Sequence, residues 1–134
     1  MSDLALLDTD ILSMFFRGHS PVVSRMEEYT TDHEKVYLSI ITYYEILSGL
    51  RHIEATRQIE QFLEFCLFNE VLPITLESAS IAATHAYLRK LGTPLDDMDL
   101  LIAGIAIEND MTLVTHNMKH FSRIPGLKLQ DWIE

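Results

Sequence analysis

Residues 4–9 read Leu4-Ala5-Leu6-Leu7-Asp8-Thr9, a short apolar run without alternation that ends abruptly on a carboxylate. A run of that length with no polar face describes a strand buried on both sides, the kind found in parallel sheets covered by helices. Asp8 or Thr9 is placed to cap a short helix reaching Phe16, which Gly18 stops.

The pattern repeats outward from this unit. A second helix over Val22 to Tyr29 starts near Ser20-Pro21, with proline in its favoured early position. Val36 to Ser39 reads as the next strand, followed by a helix from Thr42 to Ile53 with Ile46, Leu47 and Leu50 on one face. Glu54 to Phe68 continues as a helix, and Val71 to Ile74 is a short strand whose proline, Pro73, argues for a sheet edge. An Ala-rich helix over Leu76 to Leu91 is expected to stop at Gly92, and Met98 to Glu108 is a strongly apolar helix. Thr112 to Thr115 and Leu127 to Leu129 complete the strands. Strands alternating with helices imply an α/β fold, a parallel sheet of about five strands covered on both faces. Such sheets place ligands at the carboxyl ends of strands, where the strand order reverses.

Composition narrows the function. At 134 residues the chain is the size of one domain, and 48% hydrophobic with 22% charged residues is globular. Lys and Arg number 10 against 20 Asp and Glu, a formal charge of −10, which argues against binding polyanions by mass electrostatics. One cysteine, Cys66, excludes an internal disulfide and a Cys-rich zinc site, and fits a reducing cytoplasm. No stretch approaches the roughly 18 apolar residues of a membrane span, and Met-Ser-Asp-Leu lacks the basic head of a signal peptide. There is no Gly-rich phosphate loop and no Gly-x-Ser-x-Gly elbow.

The acids fall in one place in this layout. Asp8 ends the first strand, Glu45 lies early in the helix after the second, Asp99 opens the helix before the fourth, and Asn117 follows the fourth in Thr115-His116-Asn117. If the first and fourth strands are neighbours, all four converge at one crevice. Three carboxylates within a few Å of one another cannot all stay ionised without a compensating cation. An oxygen-only donor set suits Mg²⁺ or Mn²⁺ rather than zinc. The chemistry implied is metal-assisted hydrolysis of a phosphodiester. Each residue also has a bland reading. Asp8 caps a helix, Glu45 is a solvated surface acid, Asp99 with Asp96 and Asp97 answers the helix dipole, and Asn117 shapes a turn. Their shared edge of the sheet favours the chemical reading.

Four stretches now carry a resemblance: Leu6-Leu7-Asp8-Thr9-Asp10, Ser39 to Leu50 around Glu45, Leu95 to Ala106 around Asp99, and Leu113 to Phe121 around Asn117. Gly126-Leu127 and Asp131-Trp132 match a last strand. In this order and spacing, over essentially all of 1–134, the chain resembles the PIN-domain ribonucleases, specifically the VapC toxins of bacterial toxin–antitoxin pairs. The resemblance implies a single PIN-like three-layer α/β/α domain whose metal site is Asp8, Glu45 and Asp99. Asp96 and Asp97 are rivals for the third acid; Ile102-Ala103, three residues on, favour Asp99. Many relatives carry a fourth acid where Asn117 stands, so Asn117 assists as a neutral group holding water or phosphate. Also implied are Mg²⁺ or Mn²⁺, an RNA substrate with transfer RNA among the candidates, a cytoplasmic setting, a homodimer, and a VapB-type antitoxin that reaches a basic side chain into the acidic site.

The rest reads plainly. Thr9 and Thr115 either donate into the site or cap and pack. His116 and His120 have i, i+4 spacing, yet no Glu lies between them in the metalloprotease arrangement, so structural or solvated roles are expected. Cys66 is a small core residue. Met14-Phe15-Phe16, Tyr43-Tyr44 and Phe62 to Phe68 exceed what so small a core can hide, so part of the set faces a partner. One divalent ion moves the charge only from −10 to about −8, so RNA contact falls to local groups such as Arg17, Lys119 and Arg123. Two other readings stay open: a catalytically weak PIN-like module that works by binding an antitoxin, and a magnesium-dependent phosphatase of small esters.

Overall fold

The computed structural model describes residues 3–90 and 95–134. Five short strands form one parallel sheet: β1 (Ala5–Leu7), β2 (Tyr37–Ser39), β3 (Glu70–Leu72), β4 (Thr112–Val114) and β5 (Lys128–Gln130), in the order β3-β2-β1-β4-β5. Between them run α1 (Thr9–Phe16), α2 (Ser20–Asp32), α3 (Ile40–His52), α4 (Thr56–Phe68), α5 (Leu76–Thr84), α6 (Asp97–Glu108) and α7 (Met118–Phe121). The α/β expectation holds, and β1 and β4 are neighbours, paired Ala5 with Thr112, Leu6 with Leu113 and Leu7 with Val114. The order reverses between them, which makes that edge the switch point.

The apolar strands divide two cores. Leu6 and Leu113 turn to one face, against Ala82 of α5, Ile102, Ala103, Ile105 and Ala106 of α6, and Phe121 of α7. Ala5, Leu7, Leu38 and Val114 turn to the other, against Ile11 and Leu12 of α1, Val22 and Met26 of α2, and Phe62 of α4. Alternate residues of one strand thus serve opposite faces, which is why β1 carries no polar position.

Several boundaries differ from those the sequence suggests. The Ala-rich helix ends at Thr84 instead of running to Leu91, and a 3-10 turn covers Ala86–Lys90. Leu88 within it is 4% exposed and packs into the α6 core, so the tighter winding turns an apolar side chain inward. Leu91 and Gly92 lie outside the described residues. Helix α3 starts at Ile40, ahead of Thr42, because the Ser39 side chain accepts the Thr42 N–H. Glu54 does not open α4: its φ of +53° makes it part of the link from α3. Helix α2 runs on past Tyr29 to Asp32. Strand β3 is at the edge as expected, with Pro73 just beyond it. Gly18, at φ +76°, does end the turn after α1.

Helices α5 and α6 approach so closely at Gly104 that a Cβ there would lie 2.3 Å from the Ser78 carbonyl oxygen. Gly49, in α3, has nothing within 4 Å of the same position. Replacing Gly104 with Ala is expected to lower unfolding free energy by about 1–3 kcal/mol or more, because the obstacle is backbone. Gly49→Ala is expected to be neutral or stabilising by up to about 1 kcal/mol. Urea unfolding of both variants measures the contrast; equal values would mean that the α5–α6 contact yields without cost.

Candidate active site

Asp8 leaves β1 in extended conformation and divides its two oxygens. Oδ1 accepts the Thr9 N–H at 2.8 Å, capping α1, and Oδ2 accepts the Thr115 hydroxyl at 2.8 Å. The capping reading of Asp8 holds, and its second oxygen is turned to Thr115 across the β1–β4 edge. The side chain is buried, and burial, with Asp10 and then Glu45 nearby, pushes its pKa up to about 6 against the opposing bonds from Thr115 and Thr9. The Thr115 hydroxyl itself accepts the Asn117 N–H at 3.0 Å, so its proton has one direction left, toward Asp8.

Glu45 is exposed on α3, one turn beyond Ile41, and turns back to α1, where its Oε1 accepts the Thr9 hydroxyl at 2.6 Å. Thr9 Oγ1 lies 3.1 Å from the buried Thr42 hydroxyl, which joins the same cluster. Thr9 and Thr115 thus both donate toward carboxylates, beyond simple packing.

The three acids at the start of α6 separate by geometry. Asp96 is the N-cap, accepting the Asp99 N–H at 2.8 Å, and Asp97 pairs with Arg89 at 2.7 Å on the exposed side. Asp99 is the half-buried one, in the field of Asp8 and Glu45. Burial, followed by Asp96, Asp8 and Glu45, raises its pKa to about 7. Asn117 stands at the start of α7, half-buried and making no side-chain cap. It joins the cluster through its backbone bond to Thr115.

The carboxylates are less tightly gathered than a spacing of a few Å for all three. Among the described residues, the group whose ligand atoms all approach within 4.8 Å of one another is His116, Asp131 and Glu134, on the outer side of the β4–α7 loop. The ligand atoms of Asp8, Glu45 and Asp99 do not all approach one another that closely. An all-oxygen donor set suits a hard cation that keeps several waters. His116 is exposed and pairs through Nδ1 with Asp131 Oδ2 at 2.8 Å, a partner other than the zinc clasp that its spacing from His120 would suggest.

Sequence reasoning passed over Asp10. Its Oδ1 accepts the Ile11 N–H at 2.8 Å and its Oδ2 the His116 N–H at 3.0 Å, and burial raises its pKa. A second acid two residues after Asp8 was the only signal. Cys66 is half-buried against the α1–α4 core, and burial pushes its thiol up to about 11, which leaves it unreactive.

A family model described as the PIN domain matches residues 5–127. The chain belongs to the PIN-domain family. Relatives that it matches include VapC proteins. Ribonuclease VapC1 of Haemophilus influenzae is 31% identical over 134 residues, covering 95% of this chain and 96% of its own. The tRNA(fMet)-specific endonuclease VapC of Salmonella typhimurium is 30% identical over 108 residues, covering 79% and 82%. Among solved structures, VapBC2 of Rickettsia felis bound to a promoter DNA fragment superposes with a TM-score of 0.83 at 26% identity, covering 96% of this chain and 98% of that one. In this PIN domain, as described, no helix is long and apolar enough to cross a membrane.

The raised carboxyls have a measurable consequence. A group that binds its proton more tightly folded than unfolded stabilises the fold when protonated. That stabilisation is complete below the ordinary value of 3.8 and lost as pH rises through about 7 for Asp99. In EDTA, the melting temperature is expected to fall between pH 5 and pH 8 by several degrees more in the native protein than in Asp99→Asn, which carries no charge to bury. Parallel pH profiles would place Asp99 in a solvated setting and remove the like-charge account.

Proposed function

We propose that this PIN domain is a divalent-metal-dependent endoribonuclease, the toxin of a cytoplasmic toxin–antitoxin pair that inhibits translation and growth until its antitoxin binds. The observation that carries the reading is the placement of Asp8 and Asp99 near the β1–β4 switch point, each in the field of Glu45, where burial and neighbouring acids push both carboxyls up. Names borne by relatives over 95% of the chain support RNA as the substrate.

In this reading Asp8, Glu45 and Asp99 would hold Mg²⁺ or Mn²⁺, with Asn117 assisting. The bound ion supplies Lewis acidity and makes a water acidic enough to attack phosphorus near neutral pH. The chain does the orienting. Thr115 fixes the direction of the Asp8 carboxylate, and Thr9 holds Glu45 against α1. Water adds to phosphorus, the bond to the 3′ oxygen breaks, and that oxygen takes a proton, leaving a 3′-hydroxyl and a 5′-phosphate.

Apolar side chains left open support protein partners, a VapB-type antitoxin and a second copy. Phe16 (40% exposed) and Ile53 line a groove with Ile46, Leu50 and Phe62 between α1, α3 and α4, and Tyr44 stands 63% exposed on α3. The acidic crevice suits a partner's arginine, whose fork matches carboxylates. A neutral Asn117 and the charge of −10 favour a second reading, a PIN-like module with weak catalysis that works through complex formation.

Incubating end-labelled transfer RNA with the purified protein tests the proposal. Discrete cuts are expected in Mg²⁺, none in EDTA, and a loss of at least about a hundredfold in Asp99→Asn. Equal cutting by the mutant would assign the nuclease to a contaminant, and no Mg²⁺-dependent cleavage of any cellular RNA would leave the binding module.

A further inference from the structure

The Asp10–His116–Asp131 chain lies next to the acids without belonging to them. Asp10 is tethered through both oxygens, each of which accepts a backbone N–H. One of these, Ile11, is its own neighbour, and an ordinary first-turn acid would go no further. The other is His116, 106 positions away in sequence. On its far side the His116 ring meets Asp131, whose other oxygen accepts the Ile133 N–H at 2.8 Å and is thereby oriented. The Thr115 N–H also reaches the Gln130 carbonyl at 2.9 Å. Residues 115–117 are therefore fastened inward to the start of α1 and outward to the segment after β5.

We infer that Asp10 and His116 are positioning residues, whose contacts hold the 115–117 loop so that Thr115 aims its hydroxyl at Asp8. The inference rests on the nuclease reading above. Its physical basis is the single rotor at Thr115, which accepts from Asn117 N–H and donates to Asp8 Oδ2. His116 lies between Thr115 and Asn117, so its backbone anchor on Asp10 and its ring anchor on Asp131 fix the segment that carries both ends of the relay. Releasing the loop frees the rotor, and Asp8 loses the bond that fixes its second oxygen. Small displacements of an orienting group cost rate out of proportion to their size.

Transfer RNA cleavage in Mg²⁺, with kcat and KM determined separately, tests this in the full chain. His116 is half-exposed, so His116→Ala is expected to fold with a melting temperature near that of the native protein. Its kcat should fall about tenfold with KM within twofold. His116→Asn carries an amide N–H where Nδ1 stood and should recover most of the rate. Asp131→Ala should match His116→Ala, and the double variant should be no worse than either, as expected of two ends of one contact. A native kcat in His116→Ala, an effect confined to KM, or an equal loss in His116→Asn overturns the positioning role while the nuclease reading stands. Absence of Mg²⁺-dependent cleavage of any cellular RNA by the native protein overturns both.

Discussion

Pairing of β1 with β4 is the constraint on which this structure depends. The two strands are only three residues long, and their register sets Leu7 beside Val114. The next residues, Asp8 and Thr115, are thereby delivered side by side, and Asp8 N–H completes the ladder on the Val114 carbonyl at 2.9 Å. Each strand is buried on both faces, and a slip of one residue would exchange the residues that face each core. The apolar layers on either side therefore lock the register, and the register locks the distance between the carboxylate and its hydroxyl partner. Stability and site geometry share one cause.

Around that fixed pair the fold accumulates charge of a single sign. Asp8 is almost wholly buried, Asp10 is two residues on, and Asp99 arrives from the start of α6. Buried carboxylates of like sign normally work against folding. Hydroxyls of Thr9 and Thr115 and the N–H groups of Thr9, Ile11 and His116 offset part of that opposition with short bonds. What they cannot do is neutralise it, because each is a dipole and none a cation. A site with strong oriented donors and an excess of negative charge is built to receive positive charge, and both a hard metal ion and a partner's arginine meet that description.

Much of this was legible in the sequence, residue by residue. The abrupt end of Leu4–Leu7 at Asp8 marked the strand terminus, and the unbroken apolar run after Asp99 marked a buried helix with an acid at its head. Neighbouring acids were harder to separate. Asp96, Asp97 and Asp99 look alike in composition; Ile102-Ala103 singled out Asp99, and the structure adds that Asp96 closes the helix end, Asp97 faces Arg89 and Asp99 lies in the field of Asp8 and Glu45. The early end of α5 was hidden because nothing in Leu76 to Leu91 breaks a helix, and the burial of Leu88 overrides propensity there. Asp10 was missed for a similar reason. Its second partner is a backbone group far along the chain, and side-chain pattern carries no trace of such a contact.

The long separation between partners also bears on synthesis. The bond from Thr115 to Asp8 spans 107 positions, and among the described strands β4 and β5 follow the other three in the chain. Local helices such as α1 and α2 can form as the chain emerges, but the central strand must wait for a neighbour encoded near the other end. Until β4 docks, Asp8 has no Thr115, Asp10 has no His116, and α6 has nowhere to present Asp99. A ribosome that has made Asp8 therefore carries only a disassembled set of acids until the segment with Thr115 and His116, more than a hundred positions later, has followed it.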